Sequence, residues 1–266
     1  MKYFLLFSLF LLLACNRKTA KIGGTAVRIN PAIVDTSGFT IQSRFIPIKG
    51  FSRTTEPAGS FGAYLRNLPL KAIGEPVRLF DGKVKPNRNV YISVVDQEID
   101  PVNLQQCADA VMRLRAEWLF EQKRFSDIHF NFLSDSKPRY FTDFAKGDLS
   151  YKNFRKYMKY VFSYANTASL KDELIPVKQL ADIQVGDVFI QKGSPFGHAV
   201  IVTDVITNKE GAKKYLLAQS YMPAQETQIL INPSESAFSP WYSVSDKTII
   251  TPEWKFEPED LRRFKN

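Results

Sequence analysis

The second half of the chain contains a series of short apolar segments that are separated by turn-forming residues. The strand candidates are residues 187–190, 198–202, 215–219, 227–230 and 248–250, and the loops between them are rich in Gly, Pro, Asn and Lys. Consecutive short strands pair most simply with their neighbours in sequence. The series therefore predicts an antiparallel β-meander in the C-terminal part of the chain.

The first half of the chain carries two strong helical patterns. Residues 104–118 place apolar side chains at helical spacing, and Asn103 with Gln106 predicts a capping box in front of them. This pattern puts Cys107 about one turn inside the helix. Residues 148–165 repeat the spacing, with most of the basic side chains on the opposite face. Helices followed by an antiparallel meander predict an α+β fold.

The N-terminus has the order of a secretory signal peptide, because Lys2 precedes the uncharged apolar run 3–14. A membrane-spanning helix needs about 20 apolar residues, and this run stops after about a dozen. Leu12-Leu13-Ala14-Cys15 resembles the bacterial lipobox, which implies that residues 1–14 are removed and that Cys15 carries acyl chains such as palmitate. We expect residues 15–38 to be the lipidated Cys and a polar tether, and residues 39–266 to form one domain.

The residues after Cys15 bear on location. Lipoproteins that are retained at the inner membrane carry an Asp after this cysteine, whereas here the residue is Asn16. No acidic residue occurs in 16–21, which favours an outer-membrane lipoprotein that faces the periplasm.

The charge of the chain bears on its partners. The chain carries 36 Lys and Arg against 27 Asp and Glu, a formal charge of +9, which favours polyanionic envelope partners. We expect the membrane and a peptidoglycan peptide as partners and no nucleic acid; the sequence does not predict the oligomeric state.

The most specific pattern lies in segments 180–190 and 197–202. Gly186-Asp187 opens one strand and His198 begins the next, which distantly resembles the papain-like cell-wall peptidases of the NlpC/P60 and CHAP type. The resemblance implies a papain-like domain in which a helix near the N-terminus carries a nucleophilic cysteine and His198 is catalytic. The third catalytic residue would lie on the following strand, where the polar residue is Gln219. Cys107 precedes His198 and Gln219, which is the order of the nucleophile, the histidine and the third residue in these families.

The chemistry explains these residue types. A helix N-terminus and an imidazolium both stabilise a thiolate, which attacks an acyl carbon before the imidazolium protonates the leaving amine. Gln219 would hold the productive tautomer of the imidazole, and Gln105 or Gln106 would help backbone N–H groups to bind the oxyanion. Tyr221 follows the third strand and is a candidate substrate contact.

Other interpretations of these residues stay open. Cys107 falls on the apolar stripe of its helix, and an unpaired cysteine is often a buried, inert side chain. His198 could be a hydrogen-bonded structural histidine, and His129 falls on the polar face of a short strand. Cys107, His129 and His198 lack the short ligand spacing of zinc motifs, so we predict no metal and no cofactor.

A second resemblance spans most of the chain. Segments 61–71, 104–117, 197–200 and 218–225 are similar to an uncharacterised bacterial lipoprotein family, domain of unknown function 4846. Similarity to a family without a known function does not indicate which activity the chain has. From the order of Cys107, His198 and Gln219 we expect a Cys/His amide hydrolase or acyltransferase that acts on cell-wall peptides. A non-catalytic lipoprotein that binds murein or an envelope protein, and a structural subunit of an envelope complex, are the alternatives.

Overall fold

The computed structural model describes residues 29–265. The predicted signal peptide, Cys15 and most of the predicted tether lie outside the described residues. The described end of the tether packs on the domain: Ile33 and Val34 are buried, and Val34 forms a β-bridge with Phe45. The folded part of the chain therefore begins before Phe39, where the sequence placed its start.

Six α-helices lie within residues 29–265. They are α1 (Ile41–Arg44), α2 (Phe61–Arg66), α3 (Cys107–Glu121), α4 (Phe141–Ala145), α5 (Tyr151–Tyr164) and α6 (Thr167–Glu173). Both predicted long helices are present, as α3 and α5. None of the helices in this part of the chain is long and apolar enough to cross a membrane.

The start of α3 differs from the prediction. Gln106 is the N-cap residue and Cys107 is the first helical residue, so the cysteine does not lie one turn inside the helix. Asn103 does not cap the helix, because its Oδ1 accepts from the backbone N–H of Ala224 at 2.8 Å. The Asp109 carboxylate instead accepts from the backbone N–H of Gln106 at 2.9 Å. The backbone N–H of Ala108, in the first turn of α3, lies beside the Cys107 sulfur.

The strands form one large antiparallel sheet and two small hairpins. The strands are β1 (Ser52–Arg53), β2 (Tyr91–Val94), β3 (His129–Asn131), β4 (Pro138–Tyr140), β5 (Ile175–Pro176), β6 (Val188–Gln191), β7 (His198–Thr207), β8 (Lys213–Gln219), β9 (Gln228–Leu230), β10 (Tyr242–Ser243), β11 (Ile249–Ile250), β12 (Lys255–Phe256) and β13 (Leu261–Arg263). The sheet order is β2-β9-β8-β7-β6-β13-β5, while β3 pairs with β4 and β11 with β12. The run β6 to β9 contains four of the five strands of the predicted meander, whereas the fifth, residues 248–250, belongs to the separate β11–β12 hairpin.

The large sheet is covered on both faces. Helices α2 and α3 pack against β7, and the side chains of Ala199 and Ile201 belong to the core on that side. The alternate residues Val200 and Val202 belong to a second core, which Phe256 of the β11–β12 hairpin completes. The protein therefore has a mixed α/β fold with an antiparallel sheet and a few helices, as the sequence predicted at this level.

The turn before β6 depends on Gly186. Its φ of +93° is in the left-handed region, and a Cβ on it would lie 2.9 Å from the Phe61 ring. The next residue, Asp187, is buried and forms an ion pair with Arg263 at 2.7 Å. Gly186-Asp187 therefore shapes the turn before β6 and links this turn to β13. These two residues have a structural role outside the candidate site.

Asp204 anchors the middle of β7 from within the core. Its carboxylate accepts from Arg53 Nε at 2.7 Å and from Arg66 Nε at 2.6 Å, and its side chain has no exposed surface. It follows an irregularity in the β7–β8 register between Val202 and Asp204. The ion pairs thereby attach both β1 and α2 to the strand that begins with His198.

Candidate functional site

Cys107 lies at the junction between α3 and the start of β7. Its side chain is 5 % exposed, and its sulfur lies 3.9 Å from Thr167 Oγ1 and 3.8 Å from the carbonyl oxygen of Gly197. Burial raises the pKa of the thiol, and the nearby Asp109 carboxyl raises it further. The thiol is therefore protonated at neutral pH in this arrangement.

His198 is fully buried at the first position of β7 and is surrounded by aromatic rings. The ring centroids of Tyr221, Trp254 and Phe256 lie 5.0, 5.2 and 5.8 Å from that of the imidazole. Burial lowers the pKa of His198 to about 4, and the charge of Lys85 lowers it too. The imidazole is therefore neutral at neutral pH, in contrast to the imidazolium that the sequence led us to expect.

Gln219 contacts His198 as the sequence predicted. Gln219 Oε1 lies 3.0 Å from His198 Nε2, across the β7–β8 pair. The orientation of the amide is set on its other side, because Gln219 Nε2 donates to the Glu253 carboxylate at 2.6 Å. The oxygen of the amide must then face the ring, so His198 Nε2 carries the proton.

The remaining ring nitrogen, His198 Nδ1, is buried and has no hydrogen-bond partner among the described residues. In its Nε2–H tautomer, a neutral imidazole has a free lone pair at Nδ1. The structure thus brings His198 and Gln219 together and places the Cys107 sulfur against the backbone of the residue before His198. No hydrogen bond joins the sulfur to the ring in this resting arrangement.

The predicted substrate contacts lie in different places around Cys107. Gln105 is buried, with its Oε1 accepting from Arg113 Nη1 at 2.8 Å and its Nε2 without a partner among the described residues. Gln106 lines a cavity of about 160 Å³ together with Cys107, Thr167, Phe196 and Met222. Tyr221 packs edge-on against His198, and the neighbouring Met222 is the residue of that segment that lines the cavity.

Four residues of the site were not singled out in the sequence. Thr167 contacts the sulfur, Trp254 covers His198, and Glu253 and Lys85 lie behind Gln219. Lys85 and Glu253 are far apart in sequence and outside any recognisable motif. Only tertiary packing brings them together.

His129 lies elsewhere, on the β3–β4 hairpin. Its ring packs on Tyr140 at 4.8 Å, and it lines a separate cavity of about 520 Å³ with Arg115 and Glu173. Within residues 29–265 no three His, Cys, Asp or Glu side chains are grouped so that they could hold a metal ion. His129 therefore does not belong to the candidate site around Cys107, His198 and Gln219.

Fold and site together define a mixed α/β protein in which a His–Gln pair links the beginning of β7 to the end of β8 and a buried cysteine contacts the residue before that histidine. The chain belongs to the family described as domain of unknown function (4846), whose model matches residues 41–263. No curated protein and no solved structure matches the chain.

Proposed function

We propose that the protein is a papain-like Cys/His amide hydrolase or acyltransferase that acts on cell-wall peptides. The observation that carries the proposal is the free Nδ1 of His198, because Gln219 holds the other ring nitrogen and the Cys107 sulfur touches the adjoining residue Gly197. A histidine whose ring is held by a hydrogen bond at one nitrogen, while the other nitrogen is free to accept a proton, has the arrangement of a general base.

The reaction begins with a proton transfer. The Cys107 thiol turns from the Gly197 carbonyl to His198 Nδ1, which takes its proton, and the thiolate attacks the carbonyl carbon of the substrate amide. The tetrahedral oxyanion is bound by the first N–H groups of α3 and by the unpartnered Gln105 Nε2. Collapse breaks the C–N bond, and the imidazolium gives its proton to the leaving amine.

A thioester on Cys107 is then the intermediate. Attack by water releases a carboxylic acid, whereas attack by a second amine forms a new amide, and either one regenerates the thiol. The cavity beside Cys107 would admit the acyl group, since it is lined by Gln106, Phe196 and Met222. Hydrolysis and acyl transfer therefore use the same residues and differ only in the second nucleophile.

The substrate class is inferred from the location. The lipobox-like Leu12-Leu13-Ala14-Cys15 supports a membrane-anchored lipoprotein of the cell envelope, and Asn16 supports the outer membrane facing the periplasm. A tether there reaches murein, and the net charge of +9 favours stem peptides that carry carboxylates.

The alternative function is non-catalytic binding of murein or of an envelope protein. It is favoured by the burial of Cys107 and by the raised pKa of its thiol, which are typical of an inert cysteine. The two functions differ in whether His198 changes the reactivity of Cys107.

The pH dependence of Cys107 alkylation tests this difference. A coupled thiol and imidazole share one proton between about pH 4, where His198 becomes protonated, and the raised pKa of the thiol. We therefore expect the rate of iodoacetamide alkylation to stay nearly constant between about pH 5 and pH 8 and to fall as His198 is protonated. Peptide mass spectrometry of the full chain would follow Cys107 separately from Cys15.

His198→Gln is the matched variant for this measurement, because it keeps a polar side chain and removes the base. Its alkylation rate is expected to rise about tenfold per pH unit over the same range, as for an isolated thiol. A tenfold rise per unit in the unmodified protein would instead favour the non-catalytic function.

A further inference from the structure

Glu253 lies in the turn between β11 and β12 and joins two buried groups through one oxygen. Its Oε2 accepts from Gln219 Nε2 at 2.6 Å and forms an ion pair with Lys85 Nζ at 2.7 Å. The side chains are 13 % exposed for Glu253 and 5 % for Lys85. A largely buried carboxylate with two such donors has a fixed position.

Lys85 is itself held from several sides. Its Nζ donates to Gln225 Oε1 at 3.0 Å, and the same oxygen accepts from Gln228 Nε2 at 3.1 Å. The ammonium also lies 5.2 Å from the centre of the Tyr221 ring. The chain of contacts from Gln228 through Lys85 to Glu253 therefore ends on the amide of Gln219.

We propose that Glu253, fixed by Lys85, is a positioning residue that keeps His198 in its Nε2–H tautomer and so leaves Nδ1 free for Cys107. The inference rests on the proposed function for its catalytic meaning. The tautomer of His198, however, can be measured without any substrate.

Glu253 can select the tautomer of His198 because the amide of Gln219 can present either its oxygen or its N–H to the ring nitrogen. With Glu253 accepting from Gln219 Nε2, the ring meets only Oε1 and must donate to it. Without that acceptor the amide can turn over and present its N–H to His198 Nε2. The proton would then move to Nδ1, where it blocks the acceptance of a proton from Cys107.

Other groups near His198 do not fix the tautomer. Tyr221, Trp254 and Phe256 pack against it as rings, and the charges that face this region belong to Lys85 and Glu253. The choice between the two ring nitrogens therefore passes through Gln219.

The test is ¹⁵N NMR of the full chain labelled with ¹⁵N-histidine at neutral pH. The sequence has two histidines, so His129→Gln assigns the second ring directly. We expect the Nε2–H tautomer for His198 in the unmodified protein and in Glu253→Gln, whose amide oxygen can replace the carboxylate. In Glu253→Met, which cannot accept, we expect the Nδ1–H form to become populated.

The same variants are followed by alkylation of Cys107 at about pH 6. In Glu253→Met, Cys107 is expected to be alkylated about tenfold more slowly than in the unmodified protein. In Glu253→Gln, the alkylation rate should stay within about twofold of that of the unmodified protein. The exposed Glu259 of the following turn supplies the control Glu259→Ala, which should change neither readout.

Two results would overturn the inference. One is an Nδ1–H tautomer in the unmodified protein, a result that needs no variant to fold. The other is an unchanged Nε2–H tautomer in folded Glu253→Met. If the tautomer shifts as expected but no peptide is ever cleaved, the positioning role stands and the proposed function fails.

Discussion

Cys107→Ala is expected to lower the release of peptide fragments from purified murein by at least about 10³-fold, because no other group would carry the acyl intermediate. The sulfur lies at the first residue of α3, where backbone N–H groups stabilise negative charge. The substitution removes one small buried atom, so the fold should persist. Chromatography of the released fragments would measure the loss, and circular dichroism would verify the fold.

Cys15 offers a matched control for this variant. Cys15→Ser is expected to abolish membrane attachment and to leave the release of fragments by the purified protein unchanged. Equal release by Cys107→Ala and the unmodified protein would exclude thiol catalysis and would leave the binding function.

Asp204→Asn is expected to destabilise the protein by about 3–5 kcal/mol, the range for breaking a buried ion pair on one side. Two guanidinium groups, from Arg53 and Arg66, would lose the negative charge of their shared carboxylate, whose side chain has no exposed surface. Urea unfolding followed by tryptophan fluorescence would measure the change in the free energy of unfolding.

An exposed ion pair provides the comparison for Asp204. Asp81 lies 2.7 Å from Lys83, whose side chain is 79 % exposed, and Asp81→Asn should change stability by less than about 1 kcal/mol. If both substitutions changed stability equally little, β7 would not depend on its buried anchor.

The β6 to β9 part of the sheet and the two long helices could be predicted because their patterns are local. Strands β6 to β9 are short apolar segments between turn-forming residues, with side chains in two cores, and α5 has one apolar face, so local sequence patterns locate them. The beginning of α3 was misplaced because Asn103 has the residue type of a cap but is bound to Ala224 from a distant loop. A long-range hydrogen bond leaves no mark on the local sequence.

The candidate site was predictable in part for the same reason. His198 and Gln219 stand on neighbouring strands of the meander, so their hydrogen bond follows from strand pairing. The protonation state of His198 could not be predicted from the sequence. Its imidazole is neutral because it is buried beneath Trp254 and Phe256, which belong to a hairpin late in the chain. Glu253 and Lys85 were missed because only tertiary packing joins them to Gln219.

The central claim is that Cys107 forms an acyl thioester, and acid-quenched peptide mass spectrometry tests it most directly. The full chain would be incubated briefly with soluble murein peptides and stopped in acid, which preserves thioesters. We predict an added acyl mass on the peptide that contains Cys107, and none in Cys107→Ala or His198→Gln. Release of fragments without any acyl mass on Cys107 would contradict the proposed mechanism.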